Sequence, residues 1–150
     1  DFRYRHSFFK DHPEWIITSV VIELRTVPEG TARTLIEETI ADRERRHIQN
    51  VRAAGSYFMT PVAPPDIVSM FEREKGVQSR EGRVPAGWLI EKAGMKGAKV
   101  GDAMASEQHP NYIVNTGNAS AADVLELATL IKREVQNKFG IELKEEAALL

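Results

Sequence analysis

Apolar residues crowd into one dense run near the start of the chain and then settle into helical spacing. The run Ile16-Ile17-Thr18-Ser19-Val20-Val21-Ile22-Glu23-Leu24 is rich in β-branched residues, with Pro13 before it and Pro28-Glu29-Gly30 after it, which predicts a strand. A strand apolar on both faces needs cover above and below. Only fifteen residues precede it in the sequence, so its neighbours are expected to lie in a preceding portion. From Thr31 to His47, Ala32, Leu35, Ile36 and Ile40 share one stripe and charges fill the rest, predicting a helix whose Arg43–His47 end is solvated and laced by i,i+4 ion pairs. Residues 51–65, with Gly55, Pro61, Pro64 and Pro65, read as an extended segment entering a loop. A helix starting at Pro65-Asp66 would bury Ile67, Met70 and Phe71. A shorter one over Ala86–Ala93 would bury Trp88, Leu89 and Ala93. Tyr112–Asn115 reads as a strand. Ser120 then caps the best helix in the chain, with Asp123 in capping-box position, an apolar face of Val124, Leu127, Ala128, Ile131, Val135 and Phe139, and Gly140 as its stop. A last strand is predicted from Ile141 to about Ala147. The order of elements defines an α+β class.

Composition narrows the function classes. Twenty Lys and Arg against twenty-two Asp and Glu leave a net charge of −2, so there is no positive excess to neutralise a phosphate backbone, and nucleic acid is not an expected partner. The absence of Cys excludes a disulfide framework, a zinc ribbon and a thiol nucleophile. No apolar run approaches the roughly 20 residues of a membrane helix, and the segment Asp1–Lys10 is charged and aromatic rather than signal-like. The expectation is a soluble, cytoplasmic protein with no membrane partner.

Candidate chemistry is scattered. The four histidines, at 6, 12, 47 and 109, have no metal-ligand spacing, so no metal site is expected. Gly94-x-x-Gly97-x-x-x-Gly101 is not the dinucleotide motif, and no phosphate-binding loop occurs. Ser56 follows Gly55 but has Phe58 where a nucleophile elbow needs glycine. Arg5 lies among Phe2, Tyr4, Phe8 and Phe9, a setting for stacking or for gripping a carboxylate, with a surface ion pair as the equal alternative. Glu145 and Glu146 are adjacent on a predicted strand, so they face opposite sides and are not a catalytic pair. No reaction follows from these residues alone.

Five segments, in order, carry a resemblance. Tyr4-Arg5-His6-Ser7-Phe8-Phe9-Lys10 resembles a Y-R-D-S-x-F-K motif, and Ala54-Gly55-Ser56-Tyr57-Phe58-Met59-Thr60-Pro61 resembles A-G-S-F-F-K-N-P. Ala86-Gly87-Trp88-Leu89-Ile90-Glu91 with Gly94-Met95-Lys96-Gly97 and Val100-Gly101 is similar to A-G-W-L-I-E-x-x-G-x-K-G-x-x-x-G. His109-Pro110-Asn111-Tyr112-Ile113-Val114-Asn115 is similar to H-A-N-F-I-V-N, and Phe139-Gly140-Ile141-Glu142-Leu143 with Glu146 to F-G-I-x-L-x-P-E-V. These motifs belong to the UDP-N-acetylenolpyruvoylglucosamine reductase (UDP-N-acetylmuramate dehydrogenase, MurB) family, flavoenzymes of peptidoglycan precursor synthesis.

The resemblance implies an oxidoreductase that binds FAD, takes a hydride from NADPH and reduces UDP-N-acetylglucosamine enolpyruvate to UDP-N-acetylmuramate. It implies Ser56 as proton donor, Arg5 and Glu146 as stabilisers of the enolate-like intermediate, and Tyr4 and Arg83 as contacts to the UDP-sugar. It assigns residues 1–28 to the tail of a flavin domain otherwise absent from the chain, and 29–150 to the substrate-binding domain, in the shorter subclass without an extra covering loop. Three departures stand out: Thr60 for the usual Asn, Ile48-Gln49-Asn50-Val51-Arg52 for a Pro-containing stretch, and Ala147-Ala148 for Val-Arg after the glutamate. The competing reading is a non-catalytic module that binds a UDP-sugar without turnover. The 150-residue chain alone is expected to retain no FAD and to show no reductase activity; tightly held flavin after purification, seen by absorbance, would contradict this.

Overall fold

The core forms around one long amphipathic helix and the small antiparallel meander that its apolar face covers. The computed structural model describes residues 2–46 and 51–147; His47, Ile48, Gln49, Asn50 and Ala148 lie outside the described residues. In chain order the elements are β1 (Phe2–Arg3), β2 (His6–Ser7), α1 (Phe8–Asp11), α2 (Thr31–Arg46), α3 (Pro65–Lys75), α4 (Ala86–Lys92), β3 (Lys99–Val100), β4 (Ala103–Ala105), β5 (Ile113–Asn115) and α5 (Ala121–Phe139). They fall into two compact units, Asp1–Ile40 and Ala41–Leu150, with the division inside α2.

In the C-terminal unit β3, β4 and β5 pair antiparallel in that order, Val100 opposite Ala103 and Met104 opposite Val114. The inward residues of β4 are Ala103 and Ala105, both fully buried. Their small side chains let α5 lie close, so that Leu127, Ile131 and Val135 are completely covered. The capping box forms as its sequence predicts: the Asp123 N–H donates to Ser120 Oγ at 3.2 Å, and the Ser120 N–H donates to Asp123 Oδ2 at 2.8 Å. Gly101 is required beside it. Its φ is +52°, and a Cβ there would lie 2.7 Å from the Asp123 carboxyl carbon. At the other end Gly140 stops the helix in a left-handed conformation and donates to the Gln136 carbonyl.

The two shorter helices also form where predicted. α3 buries Phe71, α4 buries Trp88, Leu89 and Ile90, and Trp88 stacks edge-on to Phe71 with centroids 5.6 Å apart. Lys92 of α4 reaches Glu74 of α3 at 2.7 Å.

Two expectations need correction. The apolar run 16–24 forms neither strand nor helix among the described residues, and Ile16, Val21 and Leu24 are at least 85% exposed. β propensity favours an extended backbone, while a strand also needs a hydrogen-bonding neighbour. The helix predicted from Thr31 forms as α2, and its stripe Leu35, Ile36 and Ile40 is exposed, because periodicity defines a face without supplying its cover. The last strand reduces to a single bridge of Glu145 with Phe58. Residues 141–144 alternate buried and exposed, with Ile141 and Leu143 inward, so the period was right and only the ladder is missing. In the N-terminal unit β1 and β2 form a hairpin pairing Phe2 with Ser7, and Arg5 sits in its turn at φ +56°, a left-handed backbone uncommon for a residue with a side chain.

Leu127→Ala should lower the unfolding free energy by about 2–5 kcal/mol, whereas Leu125→Ala, at a more exposed position of the same helix, should cost under about 1 kcal/mol. Chemical denaturation of both variants checks this, and equal losses would refute the packing described for α5.

Candidate functional site

Residues 55–60 form an irregular segment held by partners from three parts of the fold. Gly55 opens it at φ +96°, a conformation that admits glycine readily and a side chain poorly. Ser56 follows, exposed, pairing with Tyr112 through one isolated bridge. The next residues are tied down one by one. The Tyr57 N–H donates to the Asn111 carbonyl at 2.7 Å, and the Glu146 N–H donates to the Tyr57 carbonyl at 2.8 Å. The buried Asn111 side chain accepts from the Phe58 N–H at 3.0 Å and donates to the Phe58 carbonyl at 2.9 Å. The Met59 N–H donates to the Lys144 carbonyl at 2.9 Å, and Arg83 Nη1 donates to the Thr60 carbonyl at 2.9 Å. Phe58 anchors the whole segment by plugging into the core, 1% exposed.

Beside Ser56 lies a cleft of about 670 Å³, lined among others by Thr60, Lys75, Trp88, His109 and Asn111. An imidazole and an ammonium therefore share a concavity with a hydroxyl, with Trp88 supplying an apolar wall. The Glu91 carboxylate lies in the same lining, so the cleft is mixed in charge and suits a small molecule with both apolar and polar parts. His109 is held edge-on to Tyr112, ring centroids 4.7 Å apart. Among the described residues no group of His, Cys, Asp and Glu is placed to hold a metal ion, and no helix is long and apolar enough to cross a membrane.

The predicted site residues divide between the units. Tyr4 and Arg5 belong to the N-terminal one, where the Arg5 guanidinium lies 5.7 Å from the Tyr4 ring centroid and its carbonyl accepts from Lys10. Ser56, Arg83 and Glu146 belong to the C-terminal one. There the structure brings Ser56 and Glu146 onto directly bonded strands of backbone through Tyr57, and Arg83 braces the far end of the serine segment at Thr60. Glu145 turns to Lys132 of α5 at 2.9 Å, while Glu146 is exposed. Sequence reasoning missed Lys75, His109 and Asn111 as cleft residues. Only Asn111 carried a signal, a short amide just before a strand, where side chain to backbone bonding is common.

Electrostatics behind the segment is set by the Lys132–Glu145 pair. Burial pushes the Glu145 carboxyl up, but the hydrogen bond and charge of Lys132 outweigh it and hold the group below the usual carboxylate range. Burial, reinforced by Glu145 and opposed by Lys132, raises the Tyr57 phenol above its ordinary value. Tyr57 therefore stays protonated at neutral pH and is no base for its neighbour Ser56.

An α+β domain with a cleft of mixed lining, a loop-borne hydroxyl and the Lys75 ammonium at its edge has the build of a small-molecule-binding domain. Residues 46–150 match the family model described as UDP-N-acetylenolpyruvoylglucosamine reductase, C-terminal domain. The chain belongs to the UDP-N-acetylenolpyruvoylglucosamine reductase family. It is 52% identical over 150 residues to UDP-N-acetylenolpyruvoylglucosamine reductase 1 of Bacillus anthracis, covering 100% of the chain and 43% of that relative. With the Chloroherpeton thalassium UDP-N-acetylenolpyruvoylglucosamine reductase it is 44% identical over 148 residues, covering 99% and 43%. The crystal structure of UDP-N-acetylenolpyruvylglucosamine reductase (MurB) from Thermus caldophilus matches with a TM-score of 0.51 and 35% identity, over 83% of this chain and 37% of that one. The chain thus spans less than half the length of the relatives named here.

Because the folded Glu145 carboxyl lies low, the stability it contributes is complete above its unfolded pKa and is lost as pH falls through the folded one. Lys132→Met should lower the melting temperature at pH 7, and the two melting curves should converge as pH falls through and below the ordinary carboxylate range. A gap that stays constant from neutral pH down through that range would show that the pair does not titrate as described.

Proposed function

We propose that the chain is the substrate-binding half of a flavin-dependent oxidoreductase that reduces UDP-N-acetylglucosamine enolpyruvate to UDP-N-acetylmuramate, a step in building peptidoglycan precursors in the cytoplasm. The observation that supports this reading most is that Ser56 lines the 670 Å³ cleft on a backbone bonded at every following residue to Thr60. The relatives named above all carry reductase names, and no observation favours the alternative of a UDP-sugar-binding module without turnover.

FAD, and NADPH as hydride donor, enter this reading through the family. The described residues do not themselves fit a flavin. The sequence carries no dinucleotide glycine motif, and the hollow at the start of α2 is lined by Glu29 and Glu38, whose charge opposes a pyrophosphate. What these residues carry is the other part of the reduction. Hydride addition to the terminal carbon of the enolpyruvyl group leaves negative charge on the carbon beside the carboxylate, delocalised as an enolate. That charge needs stabilisation and then a proton. In this reading the Ser56 hydroxyl delivers the proton to that carbon, so hydride and proton together saturate the double bond, and the serine oxygen must afterwards be reprotonated. Arg5 pairs with carboxylate and enolate oxygens, and Glu146 assists. Tyr4 and Arg83 contact the UDP-sugar, with Arg83 also shaping the loop through Thr60. Residues 1–28 are the tail of the flavin domain and 29–150 the substrate domain.

In the whole protein that carries this chain, Ser56→Ala should lower kcat for enolpyruvate reduction by about 10²–10⁴-fold with little change in KM. Flavin reduction by NADPH, followed by stopped-flow absorbance, should be unaffected. Wild-type turnover in the variant would remove Ser56 from the proton-transfer role.

A further inference from the structure

We propose that Asn111 is a positioning residue for the Ser56 hydroxyl, acting through the backbone of Phe58; the inference rests on Ser56 being the proton donor. Three hydrogen bonds run from Asn111 to the two residues directly after Ser56. Its main-chain carbonyl accepts from the Tyr57 N–H at 2.7 Å, and its side-chain amide takes both backbone groups of Phe58, at 3.0 and 2.9 Å. The amide thus does what a neighbouring strand would do, in one residue. Asp lacks the N–H donor for the Phe58 carbonyl, and an apolar residue would leave both groups of Phe58 without this partner. Asn111 is 6% exposed, so water does not easily stand in for it.

Asn111 is itself fixed. The buried Ser106 accepts through Oγ from the N–H groups of Gln108 and His109 at 3.2 and 3.3 Å, and its N–H donates to the Tyr112 carbonyl at 2.9 Å. The Tyr112 N–H donates to the His109 carbonyl at 2.8 Å, closing the turn that presents Asn111. Ser56 stands between this clamp and Gly55, at φ +96°, and its own backbone bridges to Tyr112, the residue after Asn111. The clamp and that bridge, both built on residues 111–112, set where Oγ stands relative to the cleft. Displacing a reacting group by even about 1 Å costs up to about a hundredfold in rate; Asn111 also lines the cleft, but its amide is engaged by both backbone groups of Phe58, so substrate affinity rests mainly on the other lining residues. The effect of Asn111 therefore falls on kcat rather than KM.

The test uses the whole protein that carries this chain. Asn111→Asp keeps the size and the acceptor but removes the donor to the Phe58 carbonyl. It should lower kcat about 10- to 100-fold with KM within about threefold, and in a Ser56→Ala background the same substitution should change kcat by less than about twofold. Wild-type kcat in Asn111→Asp, or a loss that adds fully to that of Ser56→Ala, overturns the inference while leaving the proton-donor role intact. Wild-type kcat in Ser56→Ala alone overturns that role and the inference with it. Where Asn111→Asp does not fold, amide hydrogen exchange of the wild type decides. The Phe58 amide should exchange as slowly as the Ile131 amide in the core of α5, and fast exchange at Phe58 overturns the inference.

Discussion

The apolar face of α5 has to be covered, and most of the C-terminal unit is arranged to cover it. Leu127, Ile131 and Val135 reach complete burial because β4 presents alanines toward them and α4 closes the side with Trp88, Leu89 and Ile90. The hydrophobic effect sets the drive for this packing, and residue size sets its geometry. A large side chain at Ala103 or Ala105 would push the helix off the meander. The helix ends are fixed independently, by the reciprocal Ser120–Asp123 bonds at one end and Gly140 at the other, so its register on the sheet does not depend on the core alone.

The serine segment depends on that core without belonging to a regular element. Phe58 is its anchor, and the backbone groups of Tyr57 and Phe58, the Met59 N–H and the Thr60 carbonyl are met outside any ladder, by Asn111, the 144–146 stretch and Arg83. This use of mixed partners explains why the segment is ordered yet irregular. It leaves Ser56 exposed at a cleft edge while the residues beside it are held. The Lys132–Glu145 pair connects α5 to the same segment from behind, so one helix supports both the core and the back of the site.

The N-terminal unit follows a different balance. Its hairpin places Arg5 in a left-handed turn, and Lys10 closes back on the Arg5 carbonyl at 3.0 Å. The stretch from Ile16 to Leu24 joins no strand among the described residues and carries large exposed apolar side chains. β-branched residues favour an extended backbone wherever they stand, but burial requires a second surface. The exposed stripe of α2 shows the same separation between a face and its cover.

Helices α3, α4 and α5, the α+β class and the capping box were legible in the sequence, because periodicity, Pro at a helix start, Gly at a helix end and the Ser-x-x-Asp spacing act over a few residues and need nothing from elsewhere. The family motifs singled out Ser56 and Glu146 as candidates, but not how the fold holds them. Whether 141–147 forms a strand or a single bridge, whether 16–24 finds a ladder, and which side chains share the cleft with Ser56 were decided only in three dimensions. A local pattern fixes which face a residue takes; the bonding partner of Phe58, 53 residues away at Asn111, depends on how the whole chain closes around its core.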